Sequence, residues 1–541
     1  MTHAATVTPA PADRATMLER LEEAGRRGLD LVVVGGGATG LGVAVDAAAR
    51  GLSVALFDAD DFAKGTSSRA TKLVHGGVRY LAQGHLPLVR EALHERRRLL
   101  ENAPHLVHPL RFVLPVFGLR GRLLDRWYYA AGLVVYAALA GRDGLGPTRV
   151  WSPGTTAAAL PGVRRAGLGG GVSYLDAQFD DARLAIALAR TAARCGAHVV
   201  NHCRVESLLR HGGRVAGVVA RDRETGSTIT CHARCVVNAT GVFVDAVRRL
   251  DDPAAEPLVT PSQGVHLVVD RGFLPSDSAL LIPRTADGRV LFAVPWEGAV
   301  ILGTTDTPRH ETVLEPRPLA EEVDFILAEA ARVLERPPRT TDVRSTWAGL
   351  RPLVRPRGAD RDTRSISREH LVETAASGLV TVTGGKWTTY RAMAEDVLEH
   401  CMSRDLLPRR PAGVTRTLRL VAAPPAGTPQ PAVSAPPGLH LYGTEADVVA
   451  ALPGGDRELL PGFSEAMVRF AVRAEFARSV EDVLARRSRW LFLDAARAAA
   501  AADDVAAIMA DELGPSFDAP RSAAGFAALA EGYRLAVSPR R

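Results

Sequence analysis

Residues 30–58 read DLVVVGGGATGLGVAVDAAARGLSVALFD, and the order of residue types along them decides the fold. DLVVVGG (30–36) is a β-branched run stopped by glycine, which is how a buried strand reads. ATGLGVAVDAAARG is rich in helix formers and stops at Gly51, and SVALFD (53–58) is a second buried strand. Gly35, Gly37 and Gly40 stand at the strand-to-helix turn in the spacing G-x-G-x-x-G, with Ala38 and Thr39 inside the turn, and Asp58 closes the second strand. Gly35 permits the tight turn, Gly37 lets the backbone approach a pyrophosphate, Gly40 lets helix and strand pack closely, and the helix N-terminus attracts the phosphates. Asp58 is placed to bind ribose hydroxyls, so the segment is expected to hold a dinucleotide.

Around this unit the chain has 541 residues, 47% hydrophobic and 23% charged, which excludes a disordered, collagen-like or multi-span membrane protein. The net charge of +6 is scattered, so no nucleic-acid partner is expected, while anionic lipid or an anionic substrate fits. Cys195, Cys203, Cys231, Cys235 and Cys401 form neither a disulfide framework nor a zinc spacing, so no metal is expected and a reducing cytosol is the simplest compartment. Residues 1–29 show no apolar signal segment, and the longest apolar run, WYYAAGLVVYAALA (127–140), is shorter than the roughly 20 residues that span a bilayer. Among 66 basic residues only Lys64, Lys72 and Lys386 are lysine. An arginine-biased composition accounts for most of that imbalance. The surviving lysines fall near glycine-rich loops, where a slender point charge fits and a guanidinium fork does not.

A polar loop follows Asp58, then a helical stretch, REALHERRRLLENA (90–103), with one strongly charged face expected outward. Further strands at 198–210, 214–222 and 227–241 return to the first sheet. Short strands between 261 and 383 suggest an antiparallel sheet beside the parallel one. The expected fold class is α/β. It has a Rossmann-like dinucleotide domain from residues 25–90, 165–260 and 376–405, and an antiparallel-sheet substrate domain from 91–164 and 261–375. A Pro-rich linker at 406–438 would lead to a helical C-terminal domain at 439–541.

Several later segments narrow the chemistry. KLVHGGVRY (72–80), VVNATG (236–241), ILGTTD (301–306), AGLRPL (348–353), TRSISREH (363–370) and TGGKWTTYR (383–391) occur in one order along the chain. Together they resemble the FAD-dependent glycerol-3-phosphate dehydrogenases, within the amino-acid-oxidase-like flavoproteins. The resemblance implies FAD, cradled by small-residue turns from remote segments. The cofactor-binding residues it implies beyond the first turn and Asp58 are Thr66, Ser67, Ser68, Lys72, Leu73, His75, Gly76 and Gly77, Val205, Ala239, Thr240 and Gly241, and Gly384, Gly385 and Trp387.

The substrate it implies is sn-glycerol 3-phosphate, oxidised to dihydroxyacetone phosphate. A dianionic phosphate calls for cationic donors. Matching motif by motif assigns Arg79, Tyr80, Arg351, Arg368, Lys386 and Thr388 to the substrate, with Arg368 and Lys386 also catalytic. His266 is implied as the base for the hydroxyl proton, because imidazole titrates near neutrality. A packed strand residue is the competing reading of His266. Gln263 stands where lysine is frequent in the family, a departure that touches only a peripheral contact.

Family dehydrogenases reduce a membrane quinone, whereas related oxidases use oxygen and often carry a long insertion. Such an insertion is not visible here, so quinone is preferred. Residues 127–140, flanked by Arg120, Arg122, Arg126 and Arg142, are then either an interfacial segment or a core helix. A homodimer peripheral to the cytoplasmic face of the cell membrane is the expected assembly. The competing functions are a glycerol-3-phosphate oxidase, an amino-acid or hydroxy-acid oxidase, and a flavin-binding adaptor without activity.

Overall fold

The strand Leu29–Val34, buried except at Asp30, lies between Val54–Phe57 and Thr228–Asn238 and runs parallel to both. Its continuous apolar run is what a strand covered on both faces requires. The computed structural model describes residues 14–78, 81, 84–118, 124–355 and 370–535. In the first, eight-stranded sheet the order is His370–Thr374, Val380–Gly384, Thr228–Asn238, Leu29–Val34, Val54–Phe57, His198–Val200. An antiparallel ribbon, Cys203–His211 and Arg214–Asp222, hangs from the long strand Thr228–Asn238. The helix Ala38–Ala49 packs on this sheet, with Gly42 against Tyr390 of the helix Tyr390–Ser403. Residues Arg14–Arg27 form a helix not anticipated from the polar leader. Gly25 lets it rest directly on the Cys231 backbone, and Arg14 reaches Asp222 and the carbonyl of Asn201.

The second sheet has ten strands and is largely antiparallel. Its centre is the long strand Val259–Asp270, paired with Val343–Val354 on one side and Ala299–Gly303 on the other. Two strands lie in different sheets from those their positions suggest. Leu168–Phe179, expected in the dinucleotide domain, pairs along its length with Val107–Phe117 in the second sheet, while His370–Thr374 joins the first. Val107–Phe117 is paired on its other side with Ala279–Ile282 and Val380–Gly384 with Thr228–Asn238, so each carries the added strand into its own sheet.

The helix Leu86–Asn102 does expose Arg90, Glu91 and Arg97, yet Glu95 and Arg96 on it are buried. They are tolerated because Glu95 takes two hydrogen bonds from Arg391 and Arg96 pairs with Asp176. The apolar run folds as the helix Leu124–Ala140, one face of which is buried as the core reading expects while the other stays exposed. Ala130, Leu133, Tyr136 and Ala140 enter the core, while Trp127, Tyr128, Val134 and Val135 are exposed. No helix among the described residues is long and apolar enough to cross a membrane.

Residues 406–438 carry one 3-10 turn, Val414–Arg416, and are not a free tether. Leu420, Val421 and Val433 are buried, and the Val433 and Ser434 carbonyls accept hydrogen bonds from the Glu297 and Gly298 amides. The helices beyond, among them Glu465–Ala474, Ala502–Leu513 and Ala519–Glu531, share one apolar core with the second sheet. Phe470, Phe492, Val505 and Phe526 pack in the cluster that holds Val268, Trp296 and Trp347.

Candidate active site

Where Leu29–Val34 ends, Gly35 takes a left-handed φ of 108°, and its amide donates to the Phe57 carbonyl at 2.8 Å. A side chain there would strike the Ala239 carbonyl, and one on Gly40 would run into the carbonyl of Gly35, so both glycines are fixed by packing. Gly36 carries a constraint the motif does not advertise. Its amide donates to Asp58 Oδ2 at 2.6 Å, and a Cβ would crowd Phe62 and the Asp58 carboxylate. Burial raises the Asp58 carboxyl to about 7, against the pull of the Asp60 and Gly36 amides.

From this turn a cleft of about 890 Å³ runs between the two sheets. Gly35, Gly37, Ala38, Thr39 and Asp58 line its first end, with Val205 from the ribbon and Ala239, Thr240 and Gly241 beyond the strand Thr228–Asn238. Thr66 and Ser67 line it from the loop after Asp58. The Ser67 hydroxyl accepts from the Ala38 amide at 2.9 Å, and Thr66 Oγ1 donates to the Leu350 carbonyl at 2.6 Å. Leu73, His75, Gly384, Gly385, Lys386, Trp387 and Thr388 line the far half. Trp387 Nε1 donates to the Ser67 carbonyl at 2.8 Å, tying the late segment to the early loop.

Four expected cofactor contacts lie behind the cleft wall instead. Lys72 is fully buried, and its ammonium donates to both oxygens of Asp181 and to the Ser68 carbonyl. Ser68 is buried with it and offers its carbonyl to Arg489 as well. Gly76 makes room for Tyr136, whose hydroxyl accepts from its amide at 2.7 Å, and Gly77 follows in a left-handed turn; neither lines the cleft. For Lys72, the alternation of the short strand Leu73–Val74 turns it to the side away from cleft-lining Leu73. Gly40 is likewise a packing glycine, as its place in the motif requires. Arg79, Tyr80 and Arg368 lie outside the described residues.

The chemistry-bearing end is built on the strand Val259–Asp270. Register sets His266 opposite Gly303 on one side and Trp347 on the other. Gly303 has no side chain where the imidazole edge lies, and the Trp347 ring stacks on the imidazole at 5.0 Å. His266 is 2% exposed and meets Thr71 Oγ1 at 2.9 Å through Nε2. Burial, reinforced by Lys72 and Arg351, holds its pKa well below the ordinary value, so the ring is neutral at neutral pH. Two residues along the same strand, Gly264 leaves space for the Arg351 guanidinium. That group pairs with Asp306 Oδ1 at 3.3 Å and donates to the Thr305 carbonyl at 3.1 Å. Gln263, the departure from the family pattern, is buried and bonds Glu322.

Thr71, Trp347, Gly36 and the Thr304–Asp306 segment are the site residues that the motif reading left without roles. ILGTTD and AGLRPL did mark two of these segments, but only the pairing of three strands brings them beside His266.

This lining fits a flavin dinucleotide. The cleft lies near the upper end of the roughly 300–1,000 Å³ of ligand pockets, its first turn presents backbone at Gly37 and Ala38, and small turns from three remote segments open onto it. Residues 30–391 match the family of FAD-dependent oxidoreductases, and residues 433–519 match the C-terminal domain of alpha-glycerophosphate oxidase. The chain is 40% identical to a probable mitochondrial glycerol-3-phosphate dehydrogenase of Caenorhabditis elegans, over 94% of this chain and 73% of that one. It is 39% identical to the mitochondrial glycerol-3-phosphate dehydrogenase of Homo sapiens, over 93% and 73%. Among solved structures it resembles the glycerol-3-phosphate dehydrogenase of Bacillus halodurans complexed with FAD, at 30% identity and a TM-score of 0.76, over 97% of this chain and 99% of that one. Fold, cleft and likeness agree, and the chain belongs to the FAD-dependent glycerol-3-phosphate dehydrogenases, with FAD as its cofactor.

Proposed function

We propose that the protein oxidises sn-glycerol 3-phosphate to dihydroxyacetone phosphate and passes the electrons to a membrane quinone. The observation that carries the substrate is the meeting of Arg351, Lys386 and His266 in one cleft with the dinucleotide turn. A guanidinium offers two parallel donors to phosphate oxygens, and Lys386 adds a compact positive charge. Asp306 fixes the guanidinium while its side chain stays 21% exposed, so Arg351 is oriented toward a ligand without rearrangement. His266, neutral in these surroundings, is the cleft's candidate acceptor for the substrate's hydroxyl proton. Bound FAD supplies the acceptor for the hydride that leaves the secondary carbon.

A quinone acceptor places the enzyme at a lipid surface, and the outward face of Leu124–Ala140 supports that placement. Trp127 and Tyr128 are 58% and 71% exposed, Arg126 lies in the first turn of the helix, and Arg142 follows its end. Aromatic side chains with basic neighbours suit the headgroup region of an anionic leaflet. Such contact would hold the protein on the inner face of the cell membrane. Anaerobic addition of glycerol 3-phosphate should bleach the flavin absorbance. Reoxidation should then run faster with a short-chain quinone than with dissolved oxygen. Persistent yellow colour would refute the substrate, and faster reoxidation by oxygen would refute the acceptor.

A further inference from the structure

His266 does not present a nitrogen openly to the cleft. One face of the ring is covered by Trp347, its Cδ2 edge lies over Gly303, and Nδ1 is buried with no hydrogen-bond partner among the described residues. The remaining nitrogen, Nε2, ends on the Thr71 hydroxyl at 2.9 Å. Thr71 is only half-buried and lines the cleft, so its oxygen stands on the ligand side of the imidazole. A hydroxyl accepts and donates at once, which a methyl or a carboxylate in that position would not do. We infer that Thr71 is a catalytic residue: its Oγ1 receives the substrate's hydroxyl proton while handing its own proton to His266 Nε2.

The inference rests on the secondary-alcohol oxidation proposed above. In the step the substrate O–H and C–H bonds break and the carbon–oxygen double bond forms. The hydride carries the electron pair to the flavin, which is reduced, and the proton crosses two hydrogen bonds to the imidazole. Threonine alone could not keep that proton, because a protonated hydroxyl is far too acidic, whereas an imidazole nitrogen accepts it. Lys72 and Arg351 disfavour the imidazolium once formed. The proton therefore passes back through the same hydroxyl to water entering the cleft when product leaves, which resets the pair.

Measurements on the FAD-loaded enzyme test this. In anaerobic stopped flow, Thr71→Val should slow flavin reduction at saturating glycerol 3-phosphate by roughly 100-fold or more, with KM changed only a few-fold and the flavin spectrum intact. Thr71→Ser should recover most of the rate. The Thr71→Val rate should also climb with pH as hydroxide replaces the missing relay, where the wild-type rate stays flat. Adding His266→Gln to Thr71→Val should cost little more, because the two act as a unit. If Thr71→Val does not fold, a proton inventory in mixed light and heavy water on the wild type serves: a curved plot reports two protons in flight. A linear inventory, or a Thr71→Val enzyme with the wild-type rate and pH profile, would overturn the relay alone. Wild-type flavin that glycerol 3-phosphate fails to bleach would overturn the substrate reading and the relay together.

Discussion

At the scale of single residues, the site is set by what surrounds each polar group. Arg351 is held by Asp306 and the Thr305 carbonyl and is still partly exposed, so its charge is directed and not spent. Arg351→Ala removes a charged bidentate donor worth about 1.5–3 kcal/mol. It should raise KM for glycerol 3-phosphate roughly 10- to 100-fold while FAD content stays at wild type; steady-state kinetics beside a flavin absorbance count would check both, and an unchanged KM would take Arg351 out of the phosphate site. Lys72 shows the opposite case. A lysine in a glycine-rich loop reads as a ligand contact, yet here it neutralises buried Asp181 and lies 5.2 Å from the Trp347 ring centre, beneath the indole that stacks on His266. The residue type carried no signal for that role, because a buried ion pair is written in the partner, and Asp181 is far away in sequence.

At the scale of elements, the first strand–helix–strand unit was legible because every rule it obeys is local: glycine spacing, an apolar run, an acid at the strand end. The ribbon and the helical tail were legible for the same reason. What was not legible is which strand lies beside which. His266 becomes a site residue through its register with Gly303 and Trp347, and Thr71 through its reach across the sheet to that histidine, neither of which has a local marker. The same limit put Leu168–Phe179 in the wrong sheet.

One element-scale contact is sensitive to pH. His202, next to the ribbon, bonds Asp482 at 2.9 Å, and Asp61 and Asp482 are held in turn by Arg486 and Arg487. Burial works against the imidazolium, but the Asp482 carboxylate prevails and raises the His202 pKa. The unfolded chain titrates near 6.5, so this contact stabilises fully below that pH and is lost as pH rises through the higher folded value. The melting temperature should therefore fall from pH 6 towards pH 9. His202→Gln should cost about 1.5–3 kcal/mol at pH 6 and flatten that slope. Thermal melts of both proteins across the range would show it, and parallel slopes would refute the assignment.

For the whole molecule, the outward face of Leu124–Ala140 is an apolar feature that the fold leaves uncovered, with Trp127, Tyr128, Val134 and Val135 exposed on it. Its inward face serves the core through Tyr136, so the buried and the exposed side chains of the helix separate by face. Replacing Trp127 and Tyr128 by Asp should release the protein from anionic vesicles in a flotation assay while activity with a soluble dye acceptor persists. Continued flotation would assign the helix to another surface.

The wall of the cleft is finished by residues remote from it along the chain. Tyr533 accepts from Arg69 at 3.2 Å and donates to Glu315 at 3.0 Å, its carbonyl takes the Thr346 amide, and Phe492 packs edge-on against Trp347. A nascent chain that has already released its glycine turn from the ribosome therefore holds only half of a working site. Until synthesis passes Tyr533, the apolar side of the second sheet stays wet and the support behind His266 is missing, so maturation of this enzyme is timed by its last helices and not by its first fold.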